Sequence, residues 1–143
     1  MMIDLVVDSS VVVKWFVPEP HTPEALRVLA GYQNGQLSLL TPELIYAEFG
    51  NIIWKKQIAQ GLDAVTAEET IEKFLRLNFR LTPATTLLEE AYRIAIAHKR
   101  SVYDSLYLAL SLREQCQFVI ADERLVNAVG GAFPQVIRLA DWT

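Results

Sequence analysis

The chain carries a single cysteine, Cys116, and only two histidines, His21 and His98, among its 143 residues. That excludes an internal disulfide and any multi-thiolate zinc site, and it fits a reducing compartment. A histidine acid–base pair would need both imidazoles, and neither lies beside the acids singled out below. Long apolar runs are also missing: nothing approaches the roughly 20 residues needed to cross a bilayer. Met1-Met2-Ile3-Asp4-Leu5 places an acid where a secretory signal carries basic residues, so a soluble, cytoplasmic protein is expected. Positive charge is not in excess, with 13 Lys plus Arg against 17 Asp plus Glu and a net charge of −4. This excludes a generally basic nucleic-acid binder, while permitting a local basic rim around an acidic site. No glycine-rich phosphate loop is present, and Gly130-Gly131 reads as a helix stop.

What remains is ordinary globular material. A content of 52% hydrophobic and 21% charged residues describes one domain spanning residues 1–143. Leu5-Val6-Val7 is a short β-branched run ending at Asp8 and reads as a buried strand, with a short helix from Ser9 to Val17 stopped by Pro18 and Pro20. Thr22-Pro23, Thr41-Pro42 and Thr82-Pro83 each offer a hydroxyl N-cap before a proline, and predict helices over roughly 23–33, 42–59 and 84–98. Thr66-Ala67-Glu68-Glu69 has capping-box spacing and predicts a helix towards Asn78. Leu37 to Leu40 and Phe79 to Leu81 are expected strands. Ser101 to Gln115 is a helix apolar almost all round, which requires a central, covered position. Phe118-Val119-Ile120 is a further strand, ending just before Asp122, with a helix over 123–129 and a last strand from Val136 to Leu139. Strands alternating with helices imply an α/β fold: a mostly parallel central sheet with helices on both faces.

Four carboxylates stand in apolar company: Asp8, Glu48, Asp104 and Asp122. Asp8 and Asp122 share one design, in which an apolar strand leads to an acid and then a helix. In an open parallel sheet, ligands bind beyond the carboxyl ends of the strands, where both acids would lie. Each also reads as a plain N-cap, and Asp104 as part of a Ser101 capping box. Glu48 has no such reading. It lies two turns into its helix on the face of Leu44, Ile45 and Ile52, where a lone charge would cost several kcal/mol or find a cation; Lys55 is the candidate partner. Two like charges at about 4 Å repel by roughly 4 kcal/mol at an effective dielectric of 20, so a four-carboxylate cluster needs cations. Hard oxygen donors without thiolates or paired imidazoles point to Mg²⁺ or Mn²⁺ as cofactor. Such carboxylate cages serve phosphodiester hydrolysis by metal-activated water. Setting these four aside leaves thirteen acids against thirteen bases, so the excess negative charge equals the candidate site.

The four acids sit in segments that resemble the motifs of the PIN domain, the ribonuclease fold of VapC-like toxins in bacterial toxin–antitoxin pairs. Val7-Asp8-Ser9-Ser10-Val11 resembles the first motif and Pro42-Glu43-Leu44-Ile45-Tyr46-Ala47-Glu48 the second. Tyr103-Asp104-Ser105-Leu106-Tyr107-Leu108-Ala109-Leu110 is similar to the third and is the most specific stretch. Ile120-Ala121-Asp122-Glu123-Arg124-Leu125 resembles the fourth, and the acids follow one another at 40, 56 and 18 residues. The resemblance implies a PIN-like three-layer sandwich and a metal-dependent endoribonuclease that cuts RNA, a homodimer inhibited by a cognate antitoxin protein. It implies Asp8 and Asp104 as principal metal ligands, Glu48 and Asp122 completing the cage directly or through water, and Ser10 supporting Asp8. Many relatives carry a threonine two residues before the fourth acid, where this chain has Ile120.

Lys14, Lys55, Lys99, Arg100 and Arg124 flank the motifs and are candidate contacts to an RNA backbone. Trp15, Phe16, Trp54 and Trp142 are candidates for a partner surface as much as for core. Two rival readings stay open. A non-catalytic PIN-fold module would bind RNA or protein without turnover. A DNA-directed nuclease of the same fold would need a gripping basic segment, which this chain lacks.

Overall fold

The β-branched run at the start of the chain forms a central strand, β1 (Ile3–Val7), whose residues are buried on both faces from Leu5 onward. The computed structural model describes the whole chain, Met1–Thr143. After β1 come a single turn α1 (Ser9–Val12), a 3₁₀ turn over 13–15, α2 (Thr22–Gln33), β2 (Leu37–Pro42), α3 (Leu44–Ala59) and α4 (Ala64–Leu75). The second half holds β3 (Arg80–Thr82), α5 (Leu88–His98), α6 (Val102–Glu114), β4 (Gln117–Ile120), α7 (Glu123–Val129) and β5 (Val136–Arg138). All five strands are parallel, in the order β3-β2-β1-β4-β5. The chain winds outward from β1 through β2 to β3, then returns to the other side of β1 for β4 and β5. The reversal lies between β1 and β4, and an open sheet splits into a crevice at such a point.

Alternation along the strands assigns the layers. Leu5, Val7, Leu37, Leu39 and Val119 join α1 to α4 in one apolar cluster. Val6, Leu40, Phe118, Ile120 and Val136 join α5, α6 and α7 in another. This is the expected α/β sandwich, with a sheet that is wholly rather than mostly parallel. The α6 helix is buried continuously from Ser105 to Ser111, although Tyr103 and Leu112 near its ends are exposed.

Several helix starts differ from the sequence reading. Thr41 and Pro42 complete β2, so α3 opens at Leu44 without a hydroxyl cap. Thr82 likewise ends β3, and a 3₁₀ turn over 84–86 precedes α5. Thr22 bonds back to Glu19 and is itself the first residue of α2. For α4 the cap is Asp63, whose carboxylate accepts the Thr66 amide at 3.0 Å, three residues upstream of the expected Thr66. In the first two cases strand pairing to a neighbour outweighed a local cap. His98 is half-buried, edge-on to Phe133 with ring centroids 5.0 Å apart. Trp15 is tied into the core, its Nε1–H donating to Ala25 O at 2.7 Å, and Phe16 and Trp142 pack on the same cluster, whereas Trp54 is exposed.

The aromatic centre of the first layer is Phe49 of α3 stacked on Phe74 of α4, with centroids 3.9 Å apart and planes 3° from parallel. Phe49 is fully buried one residue after Glu48, so the same helix turn that places the acid is anchored by this ring. Phe49→Ala is expected to cost about 3–5 kcal/mol, read as a lowered urea midpoint at unchanged m-value; a loss under about 1 kcal/mol would show that the stack does not anchor the helix.

Candidate metal centre

Asp8 follows β1 directly, and its carbonyl rather than its carboxylate opens α1. Val11 and Val12 N–H donate to Asp8 O at 3.2 and 3.3 Å, and no side-chain cap forms. The N-cap reading therefore leaves the carboxylate unused. Ser10 Oγ donates to Asp8 Oδ1 at 2.6 Å and accepts from the Ala121 amide at 3.2 Å. One hydroxyl thus joins the acid after β1 to the turn after β4, across the crevice.

Asp122 lies in that turn. It is exposed, and its Oδ1 accepts the Arg124 amide at 2.9 Å to cap α7, so here the capping role is present and occupies one oxygen. Asp104 sits in the first turn of α6, half-buried, and the cap of that helix is Ser101, whose Oγ accepts the Asp104 amide at 3.0 Å. Glu48 comes in from α3. Its Oε1 accepts the Tyr107 hydroxyl at 2.5 Å and the more distant Ser9 hydroxyl at 3.4 Å. Lys55 is not its partner: seven residues on, it stands about 10 Å along the helix and is exposed.

The four acids form a chain of repulsions. Burial pushes the Asp8 carboxyl from 3.8 up to about 7, against the Ser10 hydrogen bond, with the charges of Glu48 and Asp104 adding to the rise. Burial also raises Glu48, against the hydroxyls of Tyr107 and Ser9, and Asp104 adds to it. Asp104 is raised by burial, with Arg100 opposing and Asp122 adding. Within this field the neutralising cation is scarce, and Arg100 beside Asp104 is the one that acts on these groups.

No three acid, histidine or cysteine side chains converge closely enough to hold an ion as they stand. The acids share a field at one end of the sheet rather than a closed shell of ligands. By donor chemistry they suit a hard divalent cation, since every donor is a carboxylate oxygen and there is no thiolate or imidazole among them. Burial of like charges in one crevice supplies the drive for such a cation. Asp8, Glu48, Asp104 and Asp122 are the residues that would hold it.

The flanking bases separate into two groups. Lys14 is buried, with its Nζ 3.0 Å from Glu19 Oε1, while Lys56 of α3 lies 2.6 Å from Glu19 Oε2. Lys14 is therefore held within the fold rather than offered to an RNA backbone, because its buried ammonium is paired with the half-buried Glu19. Lys55, Lys99 and Arg124 are exposed, and Arg100 is half-buried near Asp104. Cys116 is far from thiolate chemistry, its thiol pushed up to about 11 by burial and nearby acids. Sequence reading missed Tyr107 and Ser9 as partners of Glu48. The available signal was spacing: Tyr107 is three residues after Asp104, one helical turn on and on the same face.

A family model described as PIN domain matches residues 5–130. The ribonuclease VapC3 of Pyrobaculum aerophilum is 28% identical over 127 residues, which cover 86% of this chain and 92% of that protein. Among solved structures, PAE2754 from Pyrobaculum aerophilum superposes with a TM-score of 0.71 at 20% identity, over 96% of this chain and 85% of that one. A toxin–antitoxin complex from Klebsiella pneumoniae contains a chain that superposes with a TM-score of 0.63 at 12% identity, over 94% of this chain and 97% of its own length. No helix is long and apolar enough to cross a membrane.

The raised Asp8 carboxyl has a consequence for stability. A carboxyl whose folded value lies above its unfolded one leaves the fold unpenalised below the unfolded value and penalised above the folded value. The metal-free protein should therefore lose stability as pH rises from about 4 to about 7, by at most about 4 kcal/mol from this group. Asp8→Asn should unfold at higher urea than wild type at pH 8, with the gap closing towards pH 4. A gap independent of pH, or a less stable variant at pH 8, would show that Asp8 carries no such penalty.

Proposed function

The chain belongs to the PIN-domain family, and we propose that it is a metal-dependent endoribonuclease acting as the toxin of a toxin–antitoxin pair. The observation that carries this reading is the set of partly desolvated carboxylates, Asp8, Glu48 and Asp104, each raised by burial and by a neighbour's negative charge. A protein with no use for a cation would gain stability by replacing them. Its likeness to a curated ribonuclease over most of both chains supports the same reaction class.

In this reading Asp8 and Asp104 are the principal ligands of Mg²⁺ or Mn²⁺, with Glu48 and Asp122 acting directly or through water. A divalent ion held there would supply Lewis acidity, for activation of water and for offsetting charge at the scissile phosphate. Ser10 holds Asp8 by the 2.6 Å hydrogen bond and ties it to the Ala121 amide, which keeps the two sides of the crevice in register. Asp122 keeps one oxygen on the Arg124 amide and has the other for the site. Lys55, Lys99, Arg100 and Arg124 offer contacts to the phosphate backbone, and Lys14 does not. The products are a 3′-hydroxyl and a 5′-phosphate.

The partners follow from the same family. A second copy forms a homodimer, and a cognate antitoxin inhibits the protein; a similar fold occurs in the toxin–antitoxin complex from Klebsiella pneumoniae.

Purified protein incubated with single-stranded RNA and Mg²⁺ is expected to cut it, and chelation is expected to stop the reaction. Asp104→Asn should lower the rate on the order of 100-fold or more, with its thermal melt retained. Wild-type protein that retains RNA without cutting it in Mg²⁺ or Mn²⁺ would contradict the nuclease reading and leave a binding module. Cutting of single-stranded DNA in preference to RNA would contradict the substrate assignment.

A further inference from the structure

The aromatic residue one turn beyond Asp104 has a role that core packing does not account for. Tyr107 is 2% exposed, and its ring stacks on Phe118 of β4 with centroids 5.6 Å apart and planes 11° from parallel. Packing fixes the ring, so the hydroxyl has little freedom in where it is delivered. It is delivered to a carboxylate 59 residues away, Glu48 Oε1, at 2.5 Å. The second donor to Glu48, Ser9 Oγ at 3.4 Å, is aimed at the same oxygen. Glu48 Oε2 accepts no hydrogen bond from the protein.

We propose that Tyr107 is a positioning residue, which fixes Glu48 through one oxygen so that only the other is presented to a divalent cation or its water. This inference rests on the metal-dependent reading above. An unrestrained glutamate has three side-chain torsions and is repelled by Asp104, so it would swing away from the crevice or chelate with both oxygens. A neutral phenol holds it without cancelling its charge, which a lysine would do. A phenol, with an ordinary pKa of about 10, is a donor at neutral pH. Asp104 and Tyr107 lie on one face of α6, so a single helix both supplies an acid and sets the posture of the acid opposite.

Phenylalanine at this position keeps the Phe118 stack and removes only the donor. The test is a Mn²⁺ titration followed by the electron paramagnetic resonance signal of the free ion, on wild type, Tyr107→Phe, Glu48→Ala and the double variant, each with its thermal melt recorded. Tyr107→Phe is expected to weaken Mn²⁺ binding about 10- to 100-fold. In the Glu48→Ala background the same substitution is expected to change it less than about twofold, because nothing remains to be positioned. A merely structural tyrosine would give effects that multiply, and that result would overturn the proposal. So would Tyr107→Phe binding Mn²⁺ as tightly as a wild type that does bind. A folded wild type that binds no Mn²⁺ would instead overturn the metal reading, and this inference with it.

Discussion

Asp8 carries a charge that its surroundings disfavour. It stands partly buried at the end of the central strand, and the charges of two further acids, Glu48 on α3 and Asp104 on α6, act on it. The rest of the architecture can be understood as support for that unfavourable arrangement. Two apolar layers, one on each face of a fully parallel sheet, supply the stability against which the clustered charge is held. The reversal of strand order between β1 and β4 opens the crevice that Ser10 spans from Asp8 to the turn after β4. Neither feature has chemistry of its own; together they determine where negative charge accumulates.

The donors chosen to hold the acids are consistent with that purpose. Ser10 bonds Asp8, and Tyr107 and Ser9 bond Glu48, so the closest partners are neutral hydroxyls. Lys14 and Lys56 share Glu19 and tie the 13–15 turn to α3. Neutral donors restrain direction while leaving charge in place, and charge left in place is what recruits a hard cation. Arg100 beside Asp104 is the exception, a half-buried cation that lowers the Asp104 carboxyl.

Much of this could be read in the chain before any coordinates. The strand–acid–helix pattern at Asp8 and Asp122 suggested a shared end of the sheet, and Glu48, on an apolar helix face, was the one acid costly in isolation. The helix over residues 123–129 matches α7 to the residue. What was not legible depended on contacts distant in sequence. Pairing of β2 with β3 drew Thr41 and Pro42 into a strand, although locally they looked like a helix start. Spacing put Tyr107 on the helix face of Asp104, but its alignment with Glu48 depends on α6 and α3 approaching over one end of the sheet. The expected Lys55 partner failed for a related reason: a helical face two turns long passes from the crevice to solvent. The burial of Lys14 likewise follows from where α3 delivers Lys56 and how the following loop returns Glu19 to both.

The central claim is that Asp8 and Asp104, with Glu48 and Asp122, hold a divalent cation. Anomalous diffraction from crystals soaked in Mn²⁺ tests it most directly. The account predicts a peak between the carboxylates of Asp8 and Asp104, with Glu48 and Asp122 oxygens or their waters completing the shell. A peak elsewhere on the surface, or none while Asp8 and Asp104 remain ordered and apart, would contradict it.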